Sequence, residues 1–161
     1  MNRSSLPVSV NTMKKWFESD DKVLQCTLPF QRHSGMWSPI LKSNLVWSML
    51  ADSYIPPIVL LKDKRGEDSK GKDIFGYQVL EGQQRLITTL FPFLNDEWAL
   101  HGSVEPVEVE GFTYDIAGKK YSELEEELQD IHSKGWLLRH KKTGARVMLI
   151  ENSDENKVFN I

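Results

Sequence analysis

The chain has 161 residues, 40% of them hydrophobic, and a formal net charge of −3. That length points to one domain, and five Trp with seven Phe suffice for a core. An acidic chain has no global positive field to draw it onto nucleic acid; a lone cysteine, Cys26, excludes an internal disulfide framework and a Cys-based zinc site.

Residues 1–9 are polar and read as a flexible N-terminus without the apolar stretch of a signal peptide. No apolar run approaches the roughly 20 residues that span a bilayer. The expectation is a cytoplasmic protein with no membrane partner. Met13, Trp16 and Phe17 recur at helical spacing and predict a helix from Val10 to about Ser19. Val23 to Leu28 alternates as a strand, closed by Pro29, which cannot donate to a ladder.

Ser38-Pro39 marks a helix start, with Ser as N-cap and Pro at the first helical position. Leu41, Leu45 and Met49 then fall on one face of a helix that runs to about Ala51. After Pro56-Pro57, the apolar run Ile58 to Leu61 suits a buried strand. Lys62 to Asp73 is charged and lacks apolar anchors, so an exposed, mobile, hairpin-like loop is expected. Phe75 to Leu80 is the returning strand, which should lie beside Ile58–Leu61. A helix should open at Gln83 and run to about Phe91, where Pro92 ends or kinks it.

Val104 to Tyr114 is β-like, and Asp115 to Gly118 supplies a turn. Ser122 to Glu125 fits a capping box, with Leu124, Leu128 and Ile131 as the buried stripe of a helix ending at Gly135. Ala145 to Ile150 reads as a strand, and Ser153-Asp154-Glu155 opens a helix cut short at Ile161, so the C-terminus looks truncated. The class is α+β, one domain over 10–161.

Two segments carry chemistry. In Glu81-Gly82-Gln83-Gln84-Arg85, the glycine permits a sharp turn and close approach of a ligand to the backbone. The N–H groups of Gln83, Gln84 and Arg85 would be the unpaired donors of the next helix, a ready anion site. Arg85 adds a fork suited to phosphate, and Thr88 and Thr89 could add hydroxyls. A turn glycine followed by solvated side chains explains the same residues equally well. A Walker-type phosphate loop is absent. In the second segment, Gln31, Arg32 and Trp37 are spaced to flank one pocket, while ordinary packing of Trp37 before the Ser38 cap is the simpler alternative.

Together, Pro29-Phe30-Gln31-Arg32, Trp37, Ile55-Pro56-Pro57-Ile58, the Tyr77-Gln78-Val79-Leu80 strand and Glu81-Gly82-Gln83-Gln84-Arg85-Leu86 resemble the DGQQR-motif N-terminal domain of GmrSD-type modification-dependent restriction enzymes. The likeness covers roughly residues 10 to 95. It implies a ParB/sulfiredoxin-like fold, a small mixed sheet with flanking helices, that binds a nucleoside triphosphate (ATP, GTP or CTP) with Mg²⁺ and serves phage defence. On this resemblance Gln31, Arg32, Trp37, Gly82, Gln83, Gln84 and Arg85 hold the nucleotide, Glu81 holds metal or orients water, and Arg32 neutralises charge during a metal-dependent NTPase reaction. The family's Asp is Glu81 here, one methylene longer, which weakens the case for turnover more than that for binding. Nuclease activity is not expected of this chain alone, so DNA or a nuclease would be partners in trans. The competing reading is a non-catalytic interaction or DNA-binding module, such as a phage-encoded decoy of host defence.

Other titratable residues read as structural. Cys26 falls on a strand as a small apolar side chain. The four histidines lack metal-ligand spacing, and His33 alone is kept in view because it adjoins Arg32. The Glu123–Glu127 acidic run reads as a solvated helix face.

Overall fold

The structure is a computed structural model and describes residues 2–6, 8–26, 37–134 and 147–151. It is mixed α and β. Strands β1 (Asn2–Ser5), β2 (Leu24–Cys26), β3 (Ile58–Glu67), β4 (Asp73–Glu81) and β7 (Val147–Glu151) form one sheet in the order β1-β7-β3-β4-β2. β3 runs antiparallel to β4 and parallel to β7, and β2 runs parallel to β4. Strands β5 (Val107–Val109) and β6 (Phe112–Tyr114) make a separate hairpin.

Helices α1 (Val10–Glu18) and α2 (Pro39–Ala51) have the predicted positions, and α4 (Glu126–Lys134) starts later than the expected cap at Ser122. Helix α3 opens at Gln83, widens into π-helical turns over Arg85–Leu90 and closes as α-helix over Phe91–Leu94. Ser9 and Ser38 cap α1 and α2 by accepting from the N–H of Thr12 and Leu41. Asp52, left-handed at φ 60°, ends α2. The core gathers Ile58, Leu60, Val79, Leu24 and Val147 of the sheet against Met13, Val46, Leu50, Leu86, Leu90 and Leu128 of the helices.

Several expectations need correction. Residues 2–5 are not a loose tail: they pair antiparallel with β7, Arg3 opposite Ile150. Leu41 does not join the buried face of α2 and is 54% exposed; Val46 and Leu50 pack inward beside Leu45 and Met49. Of the two outcomes expected at Pro92, an end or a distortion of the helix, the structure has the second: α3 continues to Leu94. Having no N–H for the carbonyl one turn back, Pro92 is preceded by a widened turn in which the Phe91 N–H donates to Leu86 O. The 104–114 segment is broken by a tight two-residue turn, Glu110 and Gly111 both at positive φ (50° and 85°), the geometry that a twisted hairpin favours. At α4 the Lys120 N–H, not that of Ser122, donates to a glutamate, Glu123 Oε1 at 2.9 Å, and α4 itself begins at Glu126. Thr27, Leu28, Gly135, Ala145, Arg146 and Ser153–Glu155 lie outside the described residues.

The largest correction is Lys62–Asp73. β3 continues to Glu67 and β4 starts at Asp73, so only a short turn is left as loop. Polar anchors replace apolar ones here. Arg65 lies over Gly76 and donates to the carbonyls of Lys22 (2.9 Å), Val23 (3.4 Å) and Tyr77 (3.1 Å) while paired with Asp63 at 2.6 Å. A Cβ on Gly76 would sit 2.5 Å from the Arg65 guanidinium carbon, so only glycine leaves that slot open. Arg65→Ala should therefore lower stability by about 1.5–3 kcal/mol, the range for hydrogen bonds to charged groups, measured by urea unfolding. Gly76→Ala should act in the same direction by displacing the guanidinium. Wild-type midpoints for both would show the arm to be unanchored.

Candidate functional site

The segment Glu81–Arg85 sits where β4 hands over to α3. Glu81, the last residue of β4, is exposed and paired in register with Val59. Gly82 turns the chain at φ +97°, a conformation that side-chain-bearing residues rarely adopt. A Cβ there would also overlap Ile58 Cδ1. Glycine is thus required twice over, by dihedral and by space. The first intrahelical bond runs from Leu86 N–H to Gly82 O at 3.1 Å. The N–H groups of Gln83, Gln84 and Arg85 therefore precede the helical ladder and point out of its first turn.

Arg85 is turned to a different task from the one its sequence position suggests. Its half-buried guanidinium donates to the carbonyl of Pro56 and, at 3.4 Å, to that of Pro57. Burial lowers its pKa, against the opposing influence of Glu81 and Tyr54. Two of its five N–H donors are thereby held by backbone. Thr88 donates to Gln84 O at 2.5 Å, and Thr89 is fully buried beside it, so neither hydroxyl faces the turn. Trp37 is half-buried against the core. Gln31 and Arg32 lie outside the described residues, as do His33 and His140.

Beside the turn lies an open groove of about 490 Å³ lined by Phe17, Lys22, Leu24, Gln25, Cys26, Gln83 and Ile87. It sits at the carboxyl ends of the parallel neighbours β2 and β4, with Cys26 in register with Val79. That end of a sheet is where ligands bind in open α/β folds. Phe17, Leu24 and Ile87 give it an apolar floor; Lys22, Gln25 and Gln83 supply polar groups. Lys22, left-handed at φ 49°, lies 5.9 Å from the Phe17 ring centre. Phe17, Lys22 and Gln25 are absent from the sequence-derived set. The one signal available was position: they flank the end of α1 and the strand that runs parallel to β4. Burial pushes the Cys26 thiol up to about 11, which disfavours the thiolate.

No protein-family profile matches the chain, and no solved structure matches it. Among curated proteins it is similar to presequence protease 1, chloroplastic/mitochondrial, of Arabidopsis thaliana, with 51% identity over 37 residues. Those residues are 23% of this chain and 3% of that protein, so the likeness is confined to a short segment.

The double requirement at Gly82 can be separated by a mutant cycle. Gly82→Ala should cost about 1–3 kcal/mol for the backbone conformation alone, with the Ile58 overlap added. Ile58→Val alone should cost about 0.5–1.5 kcal/mol. Because it removes Cδ1, the double variant should lose less than the sum of the singles. Strict additivity in thermal unfolding would show that the contact does not limit position 82.

Proposed function

We propose that this chain is a nucleoside-triphosphate-binding domain of the ParB/sulfiredoxin-like kind, related to the N-terminal domains of GmrSD-type enzymes. One observation carries the reading: three N–H groups at the start of α3, without a backbone partner among the described residues, lie beside a groove containing Lys22, at the carboxyl ends of two parallel strands. Phosphate oxygens accept from the N–H groups of Gln83, Gln84 and Arg85, where the helix dipole also favours negative charge. Lys22, whose ammonium donates to the Phe17 carbonyl at 3.5 Å and has two further N–H donors, supplies a cation, and the apolar floor of Phe17, Leu24 and Ile87 takes the base or sugar. Arg85 acts mainly by holding the turn against Pro56 and Pro57, and secondarily through its remaining donors.

Glu81 is the carboxylate at the turn, and among the described residues it has no neighbouring group of three or more metal-ligating side chains. A Mg²⁺ would fit as that ion usually binds triphosphates, through one carboxylate plus phosphate oxygens and water. Such an ion would neutralise phosphate charge; Glu81 would hold it in place.

Binding without turnover is the second reading, and the commitment of Arg85, Thr88 and Thr89 to internal hydrogen bonds favours it. Titration with ATP, GTP and CTP, with and without Mg²⁺, tests the proposal. A nucleotide at 100 times its dissociation constant should stabilise the fold by about 2.7 kcal/mol. Lys22→Glu should weaken binding at least tenfold without lowering the unfolding midpoint. Glu81→Gln should leave metal-free binding equal or tighter, since a charge repelling phosphate is gone, while any phosphate release falls. Absence of a thermal shift with every triphosphate, or Lys22→Glu binding like wild type, would remove this site from consideration.

A further inference from the structure

His132 lies in α4 with 0% of its surface exposed, and among the described residues neither ring nitrogen has a partner in hydrogen-bond geometry. Aromatic rings surround it instead: Phe93 of α3 edge-on at 5.0 Å and Tyr121 at 5.7 Å, with Phe93 also packed on Tyr121 and Trp98. Leu128, one turn earlier on α4, is fully buried as well. An imidazole in such a setting is tolerable only when neutral, because a buried charge without a partner costs far more than a buried neutral ring. Burial accordingly pushes it down to about 4, against a weaker opposing influence of the Leu90 carbonyl.

The charged groups of the packed elements are engaged elsewhere. On α1, Lys14 pairs with Glu18 at 3.0 Å, and Lys15 is exposed. On α2, Lys42 lies over the Trp98 ring at 4.5 Å. Glu123 accepts from the Lys120 N–H. On α4 itself, Asp130 pairs with Lys134 on the exposed side, while Glu126 and Glu127 face solvent. Tyr121 is the titratable group in ring contact with His132.

We infer that His132 is an acid-sensitive latch: protonation of its ring expels it from the Phe93–Tyr121 cluster and releases α4 from the rest of the fold. This goes beyond nucleotide binding and holds whether or not a nucleotide binds. The sign follows from linkage. A released imidazole takes up a proton below about 6.5, whereas the docked one resists until about 4. The docked state is therefore fully favoured above about 6.5 and loses ground as pH falls towards 4. One proton per opening raises the opening constant about tenfold per pH unit within that window.

Amide exchange measured from pH 7 to pH 4, corrected for intrinsic rates, tests the latch. Amides of 126–134 should lose protection while those of β3 and β4 keep theirs, and His132→Phe should abolish the pH dependence. His132→Leu serves as a second variant should Phe overfill the site. A nitrogen-15 NMR titration of the wild-type ring needs no substitution and should show no protonation in the folded protein near pH 6. Equal pH dependence in wild type and variants, simultaneous loss of protection in α4 and the central strands, or a ring titrating near 6.5 while α4 stays docked would each overturn the inference.

Discussion

The structure turns on one local lock, the fit of Gly82 against Ile58 with Arg85 clamped on the carbonyls of Pro56 and Pro57. Ile58 is the first residue of β3, and Gly82 follows the last residue of β4, so the lock joins the entry of one strand to the exit of its neighbour. Neither side works alone. Two prolines in a row donate no N–H and leave their carbonyls in search of partners; a half-buried guanidinium needs acceptors. Each satisfies the other, and the direction in which α3 leaves the sheet is set as a result.

From that direction the rest of the helical layer follows. α3 carries Leu86 and Leu90 into the core and then Phe93 into the cluster with Trp98, Tyr121 and His132. The Trp98 indole N–H donates to Thr89 O at 3.1 Å, within the π-helical stretch. Widened turns displace the side chains that follow, so the placement of Phe93 depends on the irregular hydrogen bonding before Pro92. The turn at Gly82 and the aromatic cluster are thus opposite ends of one helix. α4, which packs on that cluster, therefore meets α3 at the end away from the candidate site.

What the sequence made legible were features with a local cause. Gly82 between a strand pattern and a helix pattern, Ser38-Pro39 as a helix start, and the pairing of Phe75–Leu80 with Ile58–Leu61 all follow from dihedral preference, capping or alternation. Features with a distant cause were hidden. β3 continues through Lys62–Glu67 because Arg65 reaches across β4 to carbonyls more than 40 positions away in sequence, at Lys22 and Val23. Nothing in the composition of that stretch announces such an anchor. Arg85 was legible as a cation at a helix start, but its engagement by Pro56 and Pro57 depends on a contact that no spacing encodes. His132 left a signal that was readable: it continues the stripe Leu124, Leu128 by one more turn, and a polar residue on a buried stripe marks an environment worth explaining.

The commitment of Arg85 also bears on how an anion would be held. A guanidinium free to fork onto phosphate would bring a full charge to the turn, and affinity would fall steeply on removing it. With that charge spent on carbonyls, backbone N–H groups and the helix dipole carry more of the interaction, and these respond to the shape of the turn rather than to side-chain identity. Removing Arg85 would then act first through geometry, loosening Pro56 and Pro57 and with them the turn. Lys22, which approaches from the end of α1 on a separate element, is the cation whose loss can be felt without moving the backbone donors. A phosphate site of this kind would draw on the glycine turn for its donors and on a neighbouring side chain for its charge, and Gly82, constrained by its dihedral and by Ile58, would be the position least able to vary.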